Sequence, residues 1–175
     1  MIRFVKSETA MSVYGNITDI DLFRLHLSPH KEIIIEGNLT LKRDCVFPCG
    51  LYIIGSLNAG NFSIEINGDL FTSGNISANE IKVKNLYNVE RGNILCCCIS
   101  VTDYLYNEGK ISCVDIKAKD LYNKGSVNAE NISIHNKLKV ENGKLKSLFV
   151  KYKTLEIRNS ETVIAWQMKK GALKK

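Results

Sequence analysis

Apolar residues along most of this chain lie two positions apart, in short segments that recur along the sequence. The clearest column is a leucine that returns once in each repeat: Leu51, Leu70, Leu86, Leu105, Leu121, Leu138 and Leu155. A repeat of about 17 residues is typical of a fold in which each unit forms one coil. A spacing of two is the period of a β-strand, whose successive side chains point to opposite faces. The pattern therefore predicts strands for most of the chain.

Two further series run in phase with the leucines. In one, a glycine is followed by a polar, an apolar, an outward and a small residue, and these segments begin at Gly37, Gly55, Gly74, Gly92, Gly109, Gly125 and Gly143. The other consists of apolar pairs: Phe62/Ile64, Ile81/Val83, Ile99/Val101, Ile116/Ala118, Ile132/Ile134 and Leu148/Val150. A unit this short cannot bury its own apolar face, but stacked copies make a continuous interior. The three series predict an all-β fold, a single parallel β-solenoid with three strands per coil and about seven or eight coils.

Winding and boundaries follow from the same register. Coil lengths vary, since Leu51 to Leu70 is a longer step than Leu70 to Leu86. That variation does not fit the strict hexapeptide period of left-handed helices and favours a right-handed solenoid. We expect an N-terminal cap over residues 1–32, the solenoid over 33–158, and a C-terminal cap with a basic tail over 159–175.

Both predicted caps carry recognisable patterns. Thr18 and Asp21 open a pattern typical of a short helix or an irregular apolar cap. Ser160 is the predicted N-cap of a segment that covers the other end of the solenoid, where four apolar residues would close the interior. They are Val163, Ile164, Trp166 and Met168.

One outward column is aromatic. The residue after the column leucine is aromatic in five successive coils: Tyr52, Phe71, Tyr87, Tyr106 and Tyr122. The column spans about 20 Å at the usual strand spacing. It is either a stack of neighbouring rings or a binding or self-association face, since interfaces are rich in such side chains. The next residue, which points inward, predicts a buried amide ladder of Asn88, Asn107 and Asn123.

Charge is distributed unevenly along the chain. Of the net charge of +6, residues 137–175 carry +8 and residues 1–136 carry −2. The predicted basic end consists of Lys144, Lys146, Lys151, Lys153, Lys169, Lys170, Lys174 and Lys175. Such an end is either a solvated tail or a surface for an acidic protein, a nucleic acid or a nucleoprotein.

No catalytic or metal-binding constellation is recognisable. Cys96 and Cys113 occupy the small inward position that alanine holds in other coils, which predicts packing. His26, His30 and His135 have no nucleophile or carboxylate at a catalytic spacing. Acidic or amide residues recur before the leucine column, a position that also suits turns. We expect no enzyme activity, no cofactor and no metal site.

Cellular location is inferred from what the chain lacks. No apolar run approaches the roughly 20 residues needed to span a bilayer, and the first residues do not resemble a signal peptide. The six cysteines include three in a row, which is a poor framework for disulfides and favours reduced thiols. The expected location is the cytoplasm, with no membrane partner.

The segments "GDLFTSGNISANEIKVKN" and "GSVNAENISIHNKLKVENG" resemble the repeats of bactofilins, the polymer-forming bacterial cytoskeletal proteins. The resemblance covers about residues 50–158 and implies a right-handed, three-sided β-helix that associates without nucleotide. The leading hypothesis is a non-enzymatic scaffold that binds itself or a protein partner through the aromatic column. Two alternatives are a small phage-type inhibitor of a host nuclease or nucleoprotein, and a carbohydrate-active β-helix enzyme.

Overall fold

A computed structural model of the chain describes residues 3–6, 10–18, 32–159 and 162–170. In these residues the repeated segments form sixteen strands and no helix, so none that could cross a membrane. The strands build a parallel β-solenoid of about eight turns, with about 18 residues per turn. The predicted all-β solenoid is confirmed.

Strands are short in the first coils and long in the later ones. The first eight are β1 (Arg3–Lys6), β2 (Ala10–Tyr14), β3 (Asn16–Thr18), β4 (Glu32–Ile35), β5 (Asn38–Thr40), β6 (Cys45–Phe47), β7 (Gly50–Ile53) and β8 (Ser56–Asn58). The other eight are β9 (Ser63–Thr72), β10 (Asn75–Asn88), β11 (Asn93–Asn107), β12 (Lys110–Asn123), β13 (Ser126–Glu141), β14 (Lys144–Tyr152), β15 (Thr154–Arg158) and β16 (Thr162–Lys170). Each of β10 to β13 continues through two corners and covers most of one coil.

The pairing follows the sequence columns. Leu86 pairs with Leu70 on one side and Leu105 on the other, and every member of the leucine column continues this register. We call the three sides of a coil the leucine side, the glycine side, whose segments follow the column glycines, and the isoleucine side, which carries Ile64, Ile81, Ile99, Ile116 and Ile132. Each coil stacks directly on the one before it. A residue type that recurs at the same inward position of every coil therefore forms a continuous column.

The column glycines are needed for close approach between coils. A Cβ on Gly109 would lie 2.1 Å from the carbonyl oxygen of Gly92, and Gly125 has the same relation to Gly109. Neither of these glycines has a positive φ; among the described glycines only Gly15 and Gly60 do. Glycine is therefore required at this corner because no side chain fits there, and not because the backbone adopts a positive φ.

The interior is apolar on all three sides. On the glycine side Ile76, Ile94, Ile111 and Val127 stack in register and are almost fully buried, as predicted. The small position two residues later is held by Ala59, Ala78, Cys96, Cys113, Ala129 and Ser147. Large and small side chains thus alternate along the segment and fill the narrow column.

An amide ladder runs inside the leucine side. Asn88 Nδ2 donates to Asn107 Oδ1, and Asn107 Nδ2 donates to Asn123 Oδ1, each at 2.7 Å. All three asparagines are fully buried. The ladder begins at Asn88, since Thr72 holds the preceding rung and Asn88 Oδ1 finds no donor among the described residues. The predicted ladder is confirmed.

The parallel stack extends beyond residues 33–158 at both ends. β2 and β3 pair with β4 and β5 and add a coil at the N-terminal end, and the antiparallel strand β1 covers β2. Thr18 ends β3, and the rest of the predicted N-terminal cap, with His26 and His30, lies outside the described residues.

The predicted C-terminal cap, a segment N-capped at Ser160, is wrong over residues 162–170. These residues form β16, which pairs in parallel with β14. Val163 and Ala165 face the interior while Ile164 and Trp166 face solvent, which is the strand period of two; beyond the corner at Trp166, Met168 pairs with the buried Val150. Hydrogen bonds to the exposed edge of β14 favour this strand over a separate helical cap.

The predicted apolar pairs on the isoleucine side are shifted at the two ends. Ile81 pairs with Ile64 and Val83 with Ile66, so the first pair is Ile64/Ile66 and not Phe62/Ile64. In β14 the residues that continue the columns are Val150 and Tyr152. Phe62 and Leu148 are instead exposed. The prediction erred there because apolar residues lie on both sides of the corner, and the sequence alone does not show which of them face inward.

Candidate interaction surfaces

The predicted aromatic residues form one continuous stripe on the outside of the leucine side. Tyr52 and Phe71 stack with ring centroids 4.6 Å apart, and Phe71 and Tyr87 stack at 4.3 Å. Tyr106 and Tyr122 meet edge to face at 5.4 Å. We call these five residues together with Tyr104 the aromatic stripe. Each ring is half-buried by its neighbours.

Tyr104 is part of the stripe although its position in the repeat did not predict it. Its ring lies 6.2 Å from that of Tyr87 and 6.4 Å from that of Tyr106, and so links the two. The coil that ends at Leu105 is longer than the one before it, and the pairing shifts between Val83 and Leu86. The extra corner residues bring Tyr104 onto the leucine side, where it pairs with Asp120. The signal in the sequence is the spacing of two between Tyr104 and Tyr106.

Glutamates of the same chain bind three of the stripe's hydroxyls. The Tyr52 hydroxyl donates to Glu32 at 3.3 Å, and those of Tyr106 and Tyr122 donate to Glu108 and Glu141. Burial, followed by the nearby glutamate, raises the pKa of the Tyr52 and Tyr106 hydroxyls. These tyrosines are therefore neutral donors at pH 7.

Lysines complete the C-terminal end of the stripe. Lys139 Nζ lies 4.3 Å from the Tyr122 ring centroid and 2.8 Å from Glu141 Oε2. Hydrogen bonds from Lys139 and Tyr122 lower the pKa of the Glu141 carboxyl to about 2. Lys124 Nζ lies 5.3 Å from the Tyr122 ring centroid. Where the aromatic column stops, lysines cover its last ring.

Comparison of the chain with protein-family models, with curated proteins and with solved structures found no match. Function is therefore argued from the surfaces of the solenoid itself. The contacts within the aromatic stripe support a packing role, whereas its role as an interface stays a prediction.

Replacing Tyr106 with alanine separates these two roles. If the stripe only packs, Tyr106→Ala lowers the melting temperature by the equivalent of about 1 kcal/mol, because it loses ring contacts and one hydroxyl bond. Association in solution would then be unchanged, as measured by light scattering. A variant with wild-type melting but at least tenfold weaker association would instead assign the stripe to an interface.

Cys96 and Cys113 pack in the small inward position of their coils. All six described thiols are free, and Cys96 pairs in register with Ala78 as Cys113 does with Ala129. The hydrogen bond with Cys113 and burial raise the pKa of the Cys96 thiol, and burial raises those of Cys49 and Cys98. Thiols with raised pKa values are weak nucleophiles at neutral pH.

Other candidate catalytic groups are held by structural hydrogen bonds. His135 Nδ1 donates to the carbonyl of Ala118 at 3.1 Å. Asp69 and Asp120 accept bonds from Asn85 and Asn136, both at 2.8 Å, in ladders along a corner. Within the described ranges no group of three histidines, cysteines or carboxylates is arranged to hold a metal ion.

The basic end lies on the last coils. Lys144, Lys146, Lys151 and Lys153 belong to β14 and the corner after it, and Lys169 and Lys170 end β16. Lys174 and Lys175 lie outside the described residues. The basic end is thus largely built into the solenoid and is not a separate tail.

The same end exposes an unpaired strand edge and a group of apolar side chains. Within the described residues β16 pairs only with β14, so no other described strand meets its outer edge. Trp166 is 81% exposed, Ile164 56%, Leu148 49%, Phe149 48% and Met168 37%. Leu148 and Trp166 are opposite each other, because Ser147 pairs with Ala165 and Phe149 with Gln167. We call β16 and these five side chains the open C-terminal edge.

Proposed function

We propose that this protein is a non-enzymatic solenoid scaffold that associates with a second copy of itself through the open C-terminal edge. The exposed Trp166, on a strand whose outer edge no described strand covers, is the observation that carries this proposal. Aromatic side chains in this setting are typical anchors of protein interfaces.

The backbone of the open C-terminal edge supports association by strand pairing. An unpaired edge presents a row of N–H and C=O groups that another strand can bind. β16 pairs with β14 through Thr162–Ala165 on the glycine side and through Gln167–Lys170 on the isoleucine side, with Trp166 at the corner between them. The edge therefore offers two short templates, one on each side of Trp166.

Exposed apolar side chains are concentrated at this end. Of the twelve large apolar side chains that are exposed among the described residues, six lie between residues 148 and 168. Single exposed apolar residues are normal on a protein surface, but a group of them marks an interaction site. Burying the group would remove Trp166 and its neighbours from water.

At the other end of the solenoid, β1 lies antiparallel on β2 and so covers the N-terminal strand edge of the leucine side. The arrangement that we propose joins the open C-terminal edge of one copy to its equivalent in a second copy, in a twofold, self-complementary interface. The resemblance of the repeats to bactofilins supports assembly in general, while β1 restricts its geometry.

Trp166→Ala is expected to weaken association of the purified protein. Loss of a central aromatic anchor costs about 2 kcal/mol or more, which corresponds to roughly a 30-fold rise in the dimer dissociation constant. The measurement is sedimentation velocity over a range of concentrations, in which the wild type approaches twice its chain mass of 19.7 kDa.

Ile164 and Leu95 provide a matched pair of controls. They belong to the same outward column of the glycine side and are almost equally exposed, at 56% and 57%, but Leu95 lies four coils from the edge. Ile164→Ser should weaken association and Leu95→Ser should not. A wild type that stays monomeric at every concentration, or equal effects of the two serine variants, would contradict the proposal.

Two alternative functions remain predictions. A nuclease or nucleoprotein inhibitor depends on the basic end, which lies beside the open C-terminal edge. A carbohydrate-active enzyme requires paired carboxylates near a cleft, and activity assays on polysaccharides would detect it.

A further inference from the structure

Two outward columns on the isoleucine side carry lysines in a repeating order. The first column is Lys82, Ser100, Lys117, Ser133, Lys151 and Lys169, each paired in register with the next. The second column, two residues further along each coil, is Lys84, Thr102, Lys119, His135 and Lys153. We call the two columns the lysine face. From Lys82 to Lys153, coils bearing two lysines alternate with coils bearing hydroxyl or imidazole side chains, and Lys169 follows Lys151 in the next coil.

We propose that the lysine face binds the phosphate backbone of double-stranded nucleic acid. This inference does not rest on self-association, although the last lysine of the face, Lys169, lies on β16 of the open C-terminal edge. Lysine ammonium groups and serine or threonine hydroxyls are among the groups that contact phosphates in protein–DNA complexes.

Most charges of the lysine face are available to a ligand. Lys82 pairs with Glu80 at 3.0 Å and Lys119 with Asp103 at 3.7 Å. The other lysines form no ion pair with any described residue; they are Lys84, Lys117, Lys151, Lys153 and Lys169. Glu65 ends the first column on its N-terminal side, next to Lys82. The face is therefore strongly positive from Lys82 to the last coil.

The spacing of the lysines is regular because the fold is regular. Lys82/Lys84, Lys117/Lys119 and Lys151/Lys153 recur every second coil, or about every 9.6 Å at the usual strand separation. From Lys82 to Lys169 the first column spans five coil intervals, about 24 Å. A straight row of charges of that length matches about seven base pairs of duplex, whose phosphates repeat about every 3.4 Å along each strand.

The surface between the columns is an open groove. It has a volume of about 640 Å³ and extends from Glu65 to His135 between the two columns. Ser100 and Thr102 lie in it between the charged coils. A shallow groove of this kind admits a backbone without requiring a fitted pocket.

Duplex is favoured over single strands and over acidic proteins. Neither column contains a phenylalanine, tyrosine or tryptophan on which proteins that bind single strands could stack bases, and the one ring present is the imidazole of His135. An even row of charges matches a polymer with evenly spaced phosphates better than the irregular surface of a folded protein. We expect binding without base readout and with strong salt dependence.

The test is fluorescence anisotropy of a labelled 20-base-pair DNA duplex at several salt concentrations. If each of the five lysines without an ion pair neutralises one phosphate, the slope of log K against log salt is about −4.5. Lys117→Gln combined with Lys151→Gln should reduce the magnitude of the slope by about 1.8 and weaken binding at least tenfold at 0.1 M salt.

Lys110→Gln combined with Lys144→Gln is the matched control. It removes the same charge from an outward column of the glycine side and should leave the slope nearly unchanged. Repeating the assay in the Trp166→Ala background separates nucleic-acid binding from self-association.

Four results would each overturn the proposal. They are no duplex binding at 50 mM salt, an equal loss in the control variant, tighter binding of single-stranded DNA, and binding of an acidic polypeptide such as polyglutamate but not of duplex.

Discussion

Ile111→Asp is expected to abolish folding. Ile111 is 2% exposed and stacks between Ile94 and Val127 in the interior of the glycine side. An aspartate there places a charge among apolar side chains, with no cation to pair with it, at a cost of several kcal/mol. Total stabilities of domains are of the order of 5–15 kcal/mol, so the native state loses much of its margin.

The measurements are soluble yield and circular dichroism during thermal unfolding. Lys110→Asp is the control, because Lys110 is the preceding residue and points outward with an exposed side chain. It should fold with nearly wild-type melting. A soluble Ile111→Asp variant with unchanged melting would contradict the inward register of this column.

Asn107→Leu is expected to destabilise the solenoid by roughly 3 kcal/mol. Asn107 is the middle rung of the amide ladder and also donates to the carbonyl of Gly109 at 3.3 Å. Leucine has a similar size but leaves Asn88 Nδ2 without its amide acceptor and Asn123 Oδ1 without its donor. Each buried polar atom left unpaired costs about 1–3 kcal/mol.

A shift of that size lowers the melting temperature by about 6–12 °C for a chain of this length. The matched control is Asn93→Leu, which removes an amide that also donates to an asparagine one coil away, Asn75, but at the exposed surface and at 3.5 Å. Its effect should be below about 1 kcal/mol, because water replaces the lost bond. Equal effects of the two variants would show that burial of the ladder contributes nothing.

Much of the fold could be predicted because stacking repeats one environment. Leu86, Leu105 and Leu121 occupy equivalent positions in successive coils, so a single inward column appears in the sequence as a regular repeat. The same repeat placed Asn88, Asn107 and Asn123 in a ladder and Tyr52 to Tyr122 in an outward column. Where coil lengths change, as at Tyr104, the repeat alone no longer assigns a side.

The lysine face was missed because its period is two coils. The motifs "KVK", "KAK" and "KYK", at residues 82–84, 117–119 and 151–153, recur only in every second coil. A search for a repeat of one coil passes over them, since intervening coils hold "SVT" and "SIH" at the same positions. Counting charge along the chain instead attributed the basic excess to the C-terminal end.

The sequence by itself determined the strand period, the three columns and the inward residues, because a narrow interior accepts only apolar or small side chains at nearly every rung. Only the tertiary structure decided the ends and the surfaces. The segment containing Ile164 and Trp166 has apolar residues compatible with a helical or a strand period, and pairing with β14 selects the strand. The exposure of Trp166 likewise depends on the stacking, because it lies on the last described coil. The alignment of Lys82, Lys117 and Lys151 also depends on it, because the spacing of these charges is set by which coil lies next to which.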